Sequence, residues 1–203
     1  MVFAKLLGVA VLRDKIREHK PVSIGVFCSG NADRSPLAEA VLRREFVLRG
    51  YSQVKIFSFG TSVSPAKHLG SASERTTKHA LDMGYHLIVD HKRRHIGDVD
   101  VQKEIADADL LLAISPSHAA LAAEYIADEY PKAADHILGK TWTLKGFADK
   151  REWTLPFRRR LGRGLALNDP YFHPKTPEGE LAFRKDLKAV ERASKRAVER
   201  LVH

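Results

Sequence analysis

Apolar positions along the chain come in short runs rich in β-branched and aromatic residues, separated by longer stretches with helical spacing. VSIGVF, residues 22–27, is apolar almost throughout and ends at a turn, which predicts a buried parallel strand. The following SPLAEAVLRREFVLRG predicts a helix with Ser35 as its cap, Pro36 in its first turn and Gly50 at its end. Leu37, Val41, Leu42 and Phe46 would then face the sheet. VKIFSFG, residues 54–60, reads as a second strand, and 71–83 as a helix stopped by Gly84. DADLLLAIS, 107–115, reads as a third strand, and HAALAAEYIADEY as a helix closed before Pro131. A fourth strand is placed near HILGKTW, and the C-terminal run is a long helix with Phe183, Leu187, Val190, Ala197 and Leu201 at core spacing.

Strands alternating with helices imply an α/β fold, a three-layer α/β/α sandwich around a central, mainly four-stranded parallel sheet. The first twenty residues read as an amphipathic helix with Phe3, Leu6, Leu7, Ala10 and Val11 on one side, docked on the domain rather than on a membrane. The expected organisation is therefore a helical extension over 1–20 and one domain over 21–203. No apolar run approaches the ~18 residues of a membrane span.

Composition narrows this picture only in part. The apolar fraction of 44% is that of an ordinary globular chain. A single cysteine among 203 residues rules out an internal disulfide and points to a reducing, cytoplasmic setting. Net charge is +9, with a sequence pI near 9.7, which suits an anionic partner. The densest basic run lies within 140–163 and holds Arg158, Arg159, Arg160 and Arg163, either a solvated loop or a docking surface for acidic phosphoproteins. The ten histidines are scattered, and His91 with His95 lacks the neighbours of a metal site, so neither metal nor cofactor is implied.

The lone cysteine sits in VFCSGNADRSPLAEA, residues 26–40, between the first strand and its helix. A loop of this kind turns backbone N–H groups toward one concavity, and the helix dipole adds positive potential. The phosphate-binding set is then Ser29, Gly30, Asn31, Ala32, Asp33, Arg34 and Ser35, with Gly30 giving a tight turn. The same field favours a thiolate at Cys28, and Arg34 supplies a planar fork for two phosphate oxygens. Transfer to sulfur needs a proton donor for the leaving oxygen. Asp169 in NDPYF meets that need, with Tyr171 and Phe172 as cleft walls for an aromatic substrate.

The loop, the SFGTS segment at 58–62, the ADLLLAIS strand and the DPYF loop together resemble the low-molecular-weight protein tyrosine phosphatase family over most of 22–200. The resemblance implies that Cys28 is a nucleophile forming a phosphocysteine, that Arg34 binds the transferred group, and that Asp169 acts as acid and then base. It also implies that Asn31 is left-handed and braced by Ser58 and His91, the latter with a surface histidine as its alternative reading, and that Ser35 stabilises the thiolate.

TWTLKGFADK is similar to a segment of bacterial members that include protein arginine phosphatases, and Ala32 matches neither the threonine of those enzymes nor the larger aliphatic of tyrosine phosphatases. The expected substrate is a phosphorylated protein, of phosphotyrosine type, with phosphoarginine as the alternative.

Two positions depart from the family. Asp33 stands where many relatives have a protective second cysteine, and Ser115 replaces a usual acidic residue. The Asp33 carboxylate either weakens anion binding, points away, or pairs with a basic residue. An inactive phosphoprotein-binding relative is thus a second reading. A nucleic-acid binder leaves the loop unexplained, and an arsenate reductase of the thioredoxin-linked type lacks its further cysteines.

Overall fold

The computed structural model describes residues 2–62, 70–149 and 166–203, with side chains for all of these except 2–7 and 171. The arginines at 158–160 and 163, and the side chains of Phe3, Leu6, Leu7 and Tyr171, therefore lie outside the described residues.

In chain order the elements are α1 (Val2–Arg17), β1 (Val22–Cys28), α2 (Arg34–Leu48), β2 (Val54–Gly60) and α3 (Glu74–Asp82). A 3₁₀ turn, His86–Asp90, leads to α4 (Val99–Asp107), β3 (Leu110–Ala113), α5 (Pro116–Glu129) and α6 (Ala134–Gly139). Then follow β4 (Thr141–Thr143), α7 (Leu144–Ala148), a 3₁₀ turn at Pro170–Phe172 and α8 (Pro177–Val202). The four strands form one parallel sheet in the order β2-β1-β3-β4.

The alternation of strand side chains divides the interior into two layers. Val22, Ile24, Val26 and Cys28 join Leu37, Val41, Phe46, Leu187 and Leu201 in the layer beneath α1, α2 and α8. Phe27, Phe57, Phe59 and Leu111 face Val101, Ile105, Ala122 and Ile126 of α4 and α5. Gly25 lies where a Cβ would come within 2.7 Å of both Leu111 and Phe57, so the crowded side of β1 admits only a hydrogen there. With β1 paired on both edges, its last residue, Cys28, emerges near the middle of the sheet's carboxyl end. That edge is where open α/β sheets bind ligands.

Several boundaries differ from those the sequence suggests. β3 is confined to Leu110–Ala113, and HILG is helical in α6, leaving β4 to Thr141–Thr143. The cap of α2 is Asp33, not Ser35, because the Ser35 hydroxyl is engaged elsewhere. Gly50 and Gly84 do end their helices, with φ of 83° and 82°. The buried stripe of α1 is Val9, Leu12 and Ile16, while Ala10 and Val11 face outward.

The turn of α1 follows from its anchors. Arg13 donates from Nε and Nη2 to the Arg200 carbonyl at 2.7 and 2.5 Å, at the carboxyl end of α8 where cations are favoured. Lys15 pairs with Asp109 at 2.7 Å. α1 is thus packed into the main core, and Ile16→Ala should lower unfolding free energy by about 2–5 kcal/mol in urea titration. A loss under about 0.5 kcal/mol, the range of surface substitutions, would show that this helix contributes little.

Candidate active site

Cys28 closes β1 with its side chain almost fully buried. The chain then turns through residues 29–33 and enters α2 at Arg34. Segments from elsewhere fasten this turn: Thr61 N–H donates to Cys28 O at 3.0 Å, Ser62 N–H to Ser29 O at 2.9 Å, and Ser73 N–H to Ala32 O at 2.8 Å. Asn31 has φ 44° and is wholly buried, a left-handed conformation that asparagine tolerates better than most residues. Gly30 has no positive φ and nothing within 4 Å of where a Cβ would stand, so Asn31, not Gly30, carries the special geometry of the turn.

A hydrogen-bond chain holds Asn31. Its Oδ1 lies 3.0 Å from both the Ser35 and Ser58 hydroxyls, and its Nδ2 donates to Ser58 O at 3.4 Å. His91 donates from Nε2 to the Asn31 carbonyl at 3.2 Å, so this histidine is part of the loop's support. Behind them stands Glu39, 2.6 Å from the Ser58 hydroxyl and 3.6 Å from His91 Nδ1. Burial alone would raise the Glu39 carboxyl, but His91, Arg43 and Ser58 outweigh it and hold the group below its ordinary value.

Ser35 Oγ is 3.0 Å from Cys28 Sγ as well as from Asn31 Oδ1. A neutral thiol donates to Ser35 while Ser35 donates to Asn31; a thiolate instead receives the serine proton. The one hydroxyl therefore serves both states of the sulfur.

Arg34 is 5% exposed, and its Nη2 meets Asp169 Oδ2 at 2.5 Å. Its Nη1 donates to Leu167 O at 3.4 Å. Arg34 and Asp169, far apart in sequence, thus meet where the turn after Cys28 enters α2. Among the described residues Asp33 is held by hydroxyls rather than by a basic group: its Oδ1 accepts from the Thr76 hydroxyl at 2.6 Å and from the Ser73 hydroxyl. These residues open α3, whose N-terminal dipole favours a carboxylate. Phe172 is 79% exposed, an aromatic surface on the loop that carries Asp169 rather than part of the core.

Cys28, Asn31, Ser35, Ser58 and His91 are therefore joined through short contacts, and Arg34 with Asp169 forms a separate pair at the start of α2, whereas Glu39 and His118 are additions that the sequence pattern did not single out. His118 is buried, with Nδ1 2.9 Å from Ser115 Oγ. Burial and the nearby Arg34 charge lower its pKa to about 4, so it is neutral near neutral pH. Ser115, the departure from an acidic residue, caps α5 and orients this ring.

A parallel α/β sheet with an anion-cradling loop and a cysteine at its base defines a class of phosphate-handling folds. Residues 23–156 match the sequence profile of the low molecular weight phosphotyrosine protein phosphatase family, and the chain belongs to that family. It is 26% identical over 135 residues to the low molecular weight protein-tyrosine-phosphatase PtpA of Staphylococcus epidermidis, covering 66% of this chain and 77% of that protein. Among solved structures it is similar to the low molecular weight protein tyrosine phosphatase of T. tengcongensis, with 22% identity and a TM-score of 0.63, covering 88% of this chain and 98% of that one. It is also similar to the tyrosine phosphatase AmsI of Erwinia amylovora, with 25% identity, a TM-score of 0.60, and 87% and 91% covered. The YwlE arginine phosphatase of Geobacillus stearothermophilus gives 23% identity, a TM-score of 0.61, and 89% and 93% covered.

His118 offers a test that does not depend on turnover. Its folded pKa, about 4, lies below the ordinary 6.5, so the unfolded chain binds the extra proton between those values. Its contribution is intact above 6.5 and should decline by about 3 kcal/mol as pH falls toward about 4. Urea midpoints across that window should shift less in His118→Gln; an unchanged slope would contradict the assignment.

Proposed function

We propose that the protein is a cysteine-dependent phosphatase acting on phosphotyrosine-type phosphomonoesters of proteins through a phosphocysteine intermediate. The observation that carries this reading is that adjacent residues at the start of α2 make both contacts: Arg34 meets Asp169 at 2.5 Å and the Ser35 hydroxyl meets Cys28 Sγ.

In the first step the substrate phosphoryl group takes the Arg34 fork and the backbone amides of residues 29–34, releasing Asp169 from its ion pair to take up a proton from solvent. The Cys28 thiolate attacks phosphorus, the bond to the leaving oxygen breaks, and protonated Asp169 gives its proton to that oxygen. Asp169 then removes a proton from water; the water oxygen attacks phosphorus, and the phosphorus–sulfur bond breaks. Inorganic phosphate leaves, with the thiolate and the protonated acid restored. The hydroxyl partners of Asp33 hold its carboxylate toward the start of α3, which favours this active reading over a disabled phosphoprotein binder.

A second reading, hydrolysis of phosphoarginine, is favoured by similarity to the YwlE arginine phosphatase. Absence of a second cysteine leaves Cys28 without a disulfide partner, which suits a reducing, cytoplasmic setting. The basic run around Arg158–Arg163 would favour acidic protein substrates.

Wild-type protein should hydrolyse p-nitrophenyl phosphate, Cys28→Ser should abolish turnover, and Asp169→Ala should lower it by about 100- to 10,000-fold. Activity surviving Cys28→Ser would refute covalent catalysis. Parallel assays on phosphotyrosyl and phosphoarginyl peptides decide the substrate: phosphotyrosine should give the higher kcat/KM, and the reverse order would select the second reading.

A further inference from the structure

We propose that Asp186, on α8, is a positioning residue for the general acid, gripping both ends of the loop that bears Asp169. This rests on the hydrolase reading above. Asn168 donates from Nδ2 to Asp186 Oδ1 at 3.2 Å, and His173 donates from Nε2 to Asp186 Oδ2 at 2.7 Å. Asn168 immediately precedes Asp169, and His173 immediately follows the 3₁₀ turn Pro170–Phe172. One carboxylate thus binds the two ends of a short arch, one oxygen to each.

The location of Asp186 argues for a specific task. It is only 7% exposed and lies on the buried side of α8, with Phe183, Leu187 and Val190 as neighbours at helical spacing. Burying a carboxylate there is costly unless both oxygens are bonded, and an apolar side chain would suit the helix better. The two bonds it makes go to the acid loop.

Other contacts complete the arch without replacing that grip. Leu167 N–H donates to Ile114 O at 3.3 Å, and Arg34 Nη1 reaches Leu167 O at 3.4 Å. His173 N–H closes the turn on Pro170 O at 3.1 Å, and Arg75 Nη1 donates to His173 O at 3.0 Å. Between these anchors the Asp169 carboxylate meets Arg34, the residue with which the turn from Cys28 enters α2. Releasing the carboxylate grip leaves the acid on an arch tied mainly through its backbone. Displacements near 1 Å are enough to impair proton transfer.

A positioning role separates from plain structural support through the leaving group. Proton donation matters most when the departing phenol is poor, so a misplaced acid penalises phenyl phosphate more than p-nitrophenyl phosphate. We would measure kcat/KM for both esters in wild type, Asp186→Asn, His173→Ala and Glu191→Gln, each shown to be folded by thermal melting. Glu191 is a carboxylate on the same helix bonded to Tyr85 at 2.7 Å, and controls for lost helix packing.

Asp186→Asn and His173→Ala should each raise the p-nitrophenyl to phenyl ratio by about 10-fold or more, with Glu191→Gln leaving it at the wild-type value. Combined with Asp169→Ala, Asp186→Asn should raise the ratio no further, since the group it positions is gone. If Asp186→Asn fails to fold, His173→Ala decides the matter alone.

Folded variants with the wild-type ratio would overturn the proposal. So would a Glu191→Gln ratio matching theirs, or a full additional effect on the Asp169→Ala background. A wild type that hydrolyses neither ester removes the hydrolase reading and this inference together, whereas wild-type turnover with unchanged variant ratios removes only the grip.

Discussion

Everything at the carboxyl edge of the sheet depends on one residue being held in a conformation that L-amino acids avoid. Asn31 sits at φ 44°, fully buried, and its side-chain oxygen faces two serine hydroxyls. An unsupported left-handed residue costs roughly 1–3 kcal/mol, so the turn persists only where its surroundings over-determine it. Ser58 from β2, Ser35 from α2 and His91 beyond the 3₁₀ turn provide that determination from three directions. With Asn31 fixed, the turn that connects Cys28 at the end of β1 to Arg34 at the start of α2 is fixed as well.

The same network ties the sulfur to the scaffold. Ser35 connects Asn31 to Cys28 Sγ, and Ser58 connects Asn31 to Glu39, so sulfur and buried carboxylate lie at opposite ends of one polar chain. The Asp33 carboxylate is bonded by Thr76 and Ser73 at the start of α3. α8 supplies the opposing side: it packs against α2 through Leu187 and Leu201, and Asp186 reaches the acid loop from its buried face. One helix therefore both packs the core and contacts the loop that carries Asp169.

How much of this was readable from the chain depended on the range of the interaction. β1, β2, the apolar faces of α2 and α8, and the glycine stops at Gly50 and Gly84 rest on local pattern, and the structure has them where the pattern put them. Cys28, Arg34 and Ser35 fall within one short segment from the end of β1 to the start of α2, so their spacing is itself a signal. Ser35 was misread as a helix cap because local sequence cannot reveal that a sulfur and an asparagine amide compete for its hydroxyl. The face of α1 was misassigned because Arg200, near the far end of the chain, helps fix its rotation. Asp33 was ambiguous for the same reason, its hydroxyl partners lying some forty residues on. Glu39 and Asp186 looked like ordinary charged positions on helices; only tertiary contacts separate them from the solvated residues around them.

Covalent transfer to sulfur is most directly tested by stopping the reaction with p-nitrophenyl phosphate in acid within a turnover and mapping the phosphoryl group by mass spectrometry. A phosphoryl adduct should appear on the peptide containing Cys28 and vanish as substrate is exhausted. Rapid turnover with no adduct at any time, or an adduct on another side chain, would contradict a mechanism that passes through this thiol.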